Sequence, residues 1–225
     1  MAKVAIIVFP GSNCDRDVQK TLSTVYKLET ELIWYSKSKL ARYDAIIIPG
    51  GFSYADRLRA GAIASHTPII EEIKRLAHDG VPILGICNGF QILVESELLP
   101  GALTVNKSLR FICRWTAIKV LNNKTPFTKA FKNQNEFNAP IAHGEGRYVV
   151  DNDTLKILKR KNQIVLIYPH GNPNGSVGSI AGVCNERGNV VGVMPHPERG
   201  CESILTPDGL SNSYTFFYSL KLYLN

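Results

Sequence analysis

Three continuous apolar runs, each cut off by glycine or proline, shape the first part of the chain: KVAIIVFPG, AIIIPGG and VPILGICNG. A strand with one wet face alternates apolar and polar side chains. A strand covered on both faces reads as an unbroken apolar run. Lys3–Phe9, Ala45–Ile48 and Val81–Ile86 are therefore expected to be inner strands of a parallel sheet, with Glu29–Tyr35 as a further strand. Parallel neighbours need crossover connections, and the intervening segments supply helices. Ser12 or Asn13 can cap one that carries Cys14, Val18, Leu22 and Val25 on a single stripe. Pro68 opens another, with Ile69, Ile70, Ile73, Leu76 and Ala77 inward and Gly80 at its end. Asn88–Glu95 is a third.

From Arg110 the pattern changes. Arg114–Val120 alternates, and Ile164–Tyr168, Ile180–Cys184 and Val190–Met194 follow as strands joined by short turns, with Glu186–Asn189 as a hairpin loop. The final segment, SNSYTFFYSLKLYLN, reads as an aromatic-rich helix packed back on the sheet. No repeat, linker or low-complexity stretch interrupts the 225 residues, so the expectation is one α/β domain over 1–225. Its mixed sheet should be parallel in the first half. A hydrophobic content of 44% suffices for a full core.

The charge balance, 26 basic against 19 acidic residues, gives +7, which suits an anionic partner or simple solubility. The densest basic group is Lys156, Lys159, Arg160 and Lys161, and it reads as the solvated face of one short helix. A nucleic-acid binder would show a basic stripe interleaved with aromatics, and the chain has none. The N-terminal apolar run stops at Pro10, too short to span a membrane, and lacks a cleavage pattern. The five cysteines are odd in number, widely spaced and contain no C-x-x-C pair, which argues against a disulfide framework and against a zinc site. A cytoplasmic protein without membrane or nucleic-acid contact is expected.

Cys87 stands apart. It follows a buried strand, precedes a helix, and has Gly85 and Gly89 two residues to either side. This is the strand-to-helix elbow of G-x-S-x-G hydrolases with a thiol as nucleophile. Free N–H groups at the helix start favour negative charge on a thiol and on an attacked carbonyl oxygen. Taken alone, the motif fits a buried core cysteine as well as a nucleophile. Two other stretches lie at the same sheet edge. Pro49-Gly50-Gly51-Phe52 ends one strand, and Met194-Pro195-His196-Pro197-Glu198 ends another. His196 and Glu198 are two residues apart, so in extended backbone both side chains lean the same way. Cysteine, histidine and acid then compose a nucleophilic triad. Cys14, Cys113, Cys184 and Cys201 lack the elbow and a base signal and read as structural.

Together, the Pro-Gly-Gly segment, GICNGFQIL and MPHPER resemble the class I (triad) glutamine amidotransferases. FPGSNCDRDV, GGFSYADRLRAGAIA, PIAHGEGRY, NPNGS and IAGVCNERGNVVGVMPHPERG are similar, within that class, to the family of glutaminase subunits of phosphoribosylformylglycinamidine synthase. The resemblance implies a three-layer, flavodoxin-like mixed sheet with a parallel core. It implies that Cys87 attacks the side-chain amide of glutamine and that backbone N–H groups of Gly51 and Asn88 hold the oxyanion, in a pocket with Gly50 and Phe52. His196 would move the proton and Glu198 orient it. Gln91 would support the loop that holds glutamine, or else be an ordinary exposed helix residue. The His143-Gly144-Glu145-Gly146 loop would lie near the pocket or partner face, through His143 and Glu145. Asn172 and Asn174, in a turn, would form part of a docking surface.

The chain departs from the family at Ala55, where glycine is usual, and at Arg57, where an aromatic is usual. It carries no phosphate-binding loop, so by resemblance it binds no cofactor and no metal. ATP and magnesium would belong to a large synthetase subunit, joined by a small bridging subunit. A free-standing cysteine hydrolase of γ-glutamyl substrates is the competing enzyme reading.

Overall fold

The computed structural model describes residues 2–37, 39–131, 135–207 and 212–225. In chain order the elements are β1 (Lys3–Val8), α1 (Asp15–Lys20), β2 (Glu29–Trp34), β3 (Ala45–Ile48), α2 (Pro68–His78), β4 (Ile83–Ile86) and α3 (Asn88–Glu95). There follow β5 (Ala102–Thr104), β6 (Ile112–Val120), β7 (Glu136–His143), β8 (Arg147–Val149) and α4 (Asn152–Arg160). The chain closes with β9 (Ile164–Ile167), β10 (Ile180–Cys184), β11 (Val190–Val193) and α5 (Tyr214–Leu224).

Among the described residues, nine strands form one sheet in the order β2-β1-β3-β4-β11-β10-β9-β6-β7. The pairs from β2 to β11 are parallel, with Lys3 opposite Glu29, Val4 opposite Ala45, Ile46 opposite Ile83 and Val190 opposite Ile83. Those from β11 to β7 are antiparallel. Helices flank the parallel core, which gives the three-layer, flavodoxin-like arrangement expected of the sequence. The inner strands β3, β4 and β11 are buried along their whole length, as their unbroken apolar runs require. The edge strand β2 is only part-buried. Among the described residues no helix is long and apolar enough to cross a membrane.

Some local expectations need correction. Neither Ser12 nor Asn13 caps α1. Cys14 stands at that position without a side-chain cap bond, and the Ser12 Oγ instead accepts from the Phe9 N–H at 3.0 Å. The stripe Cys14, Val18 and Leu22 is buried, but a π turn over Thr21–Val25 rotates Val25 outward. Strand β7 and the short pair β5–β8 had no clear sequence signal. Pro140 lies inside β7, which tolerates it as the sheet's edge strand. Ser211, where the aromatic helix was expected to begin, lies outside the described residues.

Candidate active site

The site grows out of sheet topology. β1, β3, β4 and β11 are consecutive neighbours pointing the same way, so the segments that leave their carboxyl ends meet on one edge. Those segments carry Cys14, Gly50–Phe52, Cys87 and His196–Glu198. Backbone bonds lock them together. The Gly50 carbonyl accepts from the N–H groups of Asn13 at 3.3 Å and Cys14 at 3.1 Å, and Gly11 O accepts from Phe52 N–H at 2.9 Å. Val193 O accepts from Cys87 N–H at 2.7 Å.

The elbow is tight in a measurable sense. Cys87 has φ +50° and ψ −102°, a conformation that costs energy in any residue with a Cβ. A Cβ on Gly85 would lie 2.5 Å from Gly89 O, and one on Gly89 would lie 1.9 Å from Ile48 O. The flanking glycines are there because α3 presses directly on β3 and β4. Cys87 Sγ is nearly buried and lies 3.7 Å from Ala142 O.

His196 Nδ1 and Glu198 Oε1 are 2.6 Å apart, and both side chains are essentially sealed from solvent. Burial alone would pull the imidazole down. The Glu198 carboxylate outweighs it, so His196 holds a proton well above the ordinary histidine range. The outer nitrogen, Nε2, is buried without a hydrogen-bond partner. The sulfurs of Cys14 and Cys87 both act on this imidazole. Cys87, His196 and Glu198 are thus brought together as the sequence suggested.

Gln91 is not an exposed helix residue. It is buried, and it sits in a relay of side-chain amides. Asn88 Oδ1 accepts from Ser53 N–H at 3.1 Å, Asn88 Nδ2 donates to Gln91 Oε1 at 2.9 Å, and Gln91 Nε2 donates to Glu145 O at 2.7 Å. Two loops are fastened to α3 by this relay. The loop after Gly51 carries Tyr54, Ala55 and Asp56 at φ +54°, +57° and +52°. Ala55 therefore does occupy left-handed backbone, at the place where the family has glycine. Arg57 follows with φ −59°. The Glu145 carboxylate accepts from Ala60 N–H at 3.3 Å, and burial with that neighbouring charge pushes Asp56 up to about 6.

His143 is buried at the end of β7. Its Nδ1 meets Asn106 Oδ1 at 3.1 Å, and Nε2 has no partner. Burial, reinforced by His196, lowers it to about 4, so the ring is neutral. Asn174 is fully buried and does not belong to a docking surface. It donates to Gly146 O at 2.7 Å and fixes the loop after His143. Asn172 remains exposed and closes its own turn onto Ser176 O at 2.7 Å.

Sequence reasoning missed several residues. Cys14 is not remote from the chemistry: its Sγ, a His196 ring nitrogen and a Glu198 oxygen all lie within 4.8 Å of one another. Arg199 Nη2 is 3.2 Å from Cys14 Sγ, and its Nε donates to Asp17 at 3.1 Å. The phenol of Tyr168 is buried, and burial, with Cys87 as a neighbour, raises it. For Cys14 and Arg199 the signal was position, since Cys14 lies within FPGSNCDRDV and Arg199 within MPHPER, both at the same sheet edge. Of the remaining thiols, burial pushes Cys184 up to about 11 and Cys201 up to about 12, which makes both poor nucleophiles. Cys113 is exposed.

A cavity of about 90 Å³ opens onto Cys87 and His196, lined also by Cys14, Gly51, Phe52 and Arg199. The rings of Phe52 and Phe111, the latter also lining the cavity, are 6.4 Å apart. A larger cavity of about 640 Å³ lies by β2, between Glu31, Lys39 and Tyr43, and none of Cys87, His196 and Glu198 lines it. Chemistry, not size, identifies the smaller one.

A family model described as the CobB/CobQ-like glutamine amidotransferase domain matches residues 1–223. The chain belongs to this amidotransferase family. Among solved structures, this amidotransferase is 45% identical to PurLQS from Thermotoga maritima, over 100% of this chain and 99% of that one, with a TM-score of 0.89. A glutamine amidotransferase from Thermotoga maritima matches at 17% identity over 89% of this chain and 77% of that one, TM-score 0.58. The acivicin-bound glutaminase domain of Trypanosoma brucei CTPS matches at 12% over 99% and 94%, TM-score 0.60. These last two share the fold with the present amidotransferase.

Proposed function

We propose that this chain is the glutaminase subunit of phosphoribosylformylglycinamidine synthase, in de novo purine biosynthesis. The observation that carries the reading is its 45% identity, across the whole chain, with PurLQS. The arrangement of Cys87 beside a buried His196–Glu198 pair supports the chemistry. Cys87 adds as the thiolate to the side-chain carbonyl carbon of glutamine, the thiol proton resting on His196, whose charged form Glu198 favours. Backbone N–H groups of Gly51 and Asn88 receive the oxyanion. Collapse breaks the C–N bond, the proton on His196 goes to the leaving nitrogen, and ammonia departs. Water activated by His196 then cleaves the γ-glutamyl thioester to glutamate and restores the thiol. Glu198 keeps Nδ1 occupied so that Nε2 faces the thiol.

Ammonia alone does not aminate a formylglycinamide. That step consumes ATP with magnesium, and we assign it to a large synthetase subunit, with a small bridging subunit, in the cytoplasm. The relay from Ser53 through Asn88 and Gln91 to Glu145 supports a site whose loops are set as one unit. The chain itself would bind glutamine and no cofactor.

The test is nitrogen-source substitution in the reconstituted complex. Cys87→Ala should make no product from glutamine, yet should aminate formylglycinamide ribonucleotide from ammonium salt at high pH as the wild type does. Unchanged glutamine-dependent synthesis would overturn the nucleophile. Turnover of γ-glutamyl substrates by the lone chain, with no binding to the synthetase, would establish the free-standing hydrolase instead.

A further inference from the structure

The catalytic histidine has two thiols, and the proposed mechanism uses one. Cys14 Sγ, a ring nitrogen of His196 and a Glu198 oxygen lie within 4.8 Å of one another, all buried. The face of Gly50 shows how close the second thiol is. A single point there, where a Cβ would sit, is 2.7 Å from His196 Cε1, 3.1 Å from Cys14 Sγ and 3.5 Å from Cys87 Cβ. His196 Nε2 is buried with no hydrogen-bond partner, and the thiols of Cys14 and Cys87 both act on its ring. Two sulfurs and an imidazole nitrogen are the ligand set that selects zinc-class cations over magnesium or calcium.

We infer that Cys14, Cys87 and His196 form an inhibitory zinc-class metal site. Bond lengths of about 2.3 Å to sulfur and 2.0–2.1 Å to nitrogen require the two sulfurs to close on Nε2. Glu198 on Nδ1 orients the ring, as a carboxylate behind a metal-bound histidine does. Binding is balanced by proton release: one divalent ion displaces one proton from each thiol and any proton on Nε2. Arg199, 3.2 Å from Cys14 Sγ, opposes a cation, but its charge is met by Asp17 at 3.1 Å. The ligands come from three distant segments, so no C-x-x-C spacing announces the site. That occupancy would block glutaminase turnover rests on the function proposed above; that the ion binds does not.

The experiment uses the reduced full chain without glutamine, with cobalt(II) as spectroscopic probe and zinc competed against a chromophoric chelator. One equivalent of cobalt should give a thiolate charge-transfer band and the intense visible bands of a tetrahedral site. Cys14→Ser should weaken zinc by at least ~10–100-fold, the loss typical of even an indirect supporting group. Cys184→Ser should not. Thiol alkylation read by mass spectrometry serves the wild type directly, since zinc should protect Cys14 and Cys87 together. Equal zinc affinity in wild type and Cys14→Ser, no thiolate band, or protection of one thiol without the other would overturn the site. Normal metal binding with no glutaminase in the complex would instead overturn the proposed function and leave this inference standing.

Discussion

His196 and Glu198 touch at 2.6 Å but are not equivalent residues. The imidazole carries protons to and from reacting atoms, whereas the carboxylate holds the imidazole. His196→Ala in the reconstituted complex should lower glutamine-dependent turnover by ~10²–10⁴-fold, the range for a lost general base. Glu198→Gln keeps a hydrogen-bond partner on Nδ1 and should cost less. Thioester formation from glutamine, followed by rapid quench, separates the two, and a His196→Ala variant that acylates at the wild-type rate would remove His196 from the mechanism. Motif strings made Cys87, His196 and Glu198 legible, because their spacing within one segment encodes their geometry. Cys14 was not legible. Its nearest catalytic partner lies far along the chain, and the Gly50 carbonyl, which accepts from the Cys14 N–H, and Arg199, which donates to Cys14 Sγ, bring the two together.

At the scale of elements, the glycines separate fold from function. A Cβ on Gly89 meets the backbone oxygen of Ile48 at 1.9 Å, and backbone cannot step aside, so α3 must lift off the sheet. A Cβ on Gly50 meets a side-chain atom, His196 Cε1, at 2.7 Å. Gly89→Ala should therefore destabilise by about 1–3 kcal/mol or more, as overpacking does. Gly50→Ala should unfold near the wild-type midpoint yet lose most of its glutaminase activity. Chemical denaturation beside an activity assay checks both, and a Gly50→Ala variant with full activity would contradict the placement of His196. The inner strands and α2 were readable from sequence because burial on both faces or on one stripe leaves a simple pattern. β7 was not, since a proline sits inside its run, and the β5–β8 pair was not, since strands of three residues fall below the length at which a pattern can be seen.

For the molecule as a whole, stability responds to pH through buried histidines of opposite character. His143 is lowered to about 4 from 6.5, so on acidification the unfolded chain takes up its proton first. Its contribution is whole above about pH 6.5, falls as pH drops toward 4, and amounts to about 3 kcal/mol as an order of magnitude. His196 is raised, so its contribution is full below the ordinary value and declines only as pH rises through the folded one. Asp56, raised to about 6, opposes His143 within the acid window, but it is half exposed and screened. Denaturation midpoints of wild type and His143→Gln from pH 7 to 4 should converge as pH falls, and curves that stay parallel would show that His143 is not neutral in the fold. The sheet order also dictates a sequence in time. Among the described residues β11 is the last strand, yet it sits between β4 and β10, joining the parallel half to the antiparallel half. A growing polypeptide on the ribosome thus finishes Cys87 long before the strand that unites the two halves and the histidine that follows it. From residue 87 to residue 196 of its synthesis the enzyme is a nucleophile without a base, and its reactivity arrives in one step with the closing of the sheet.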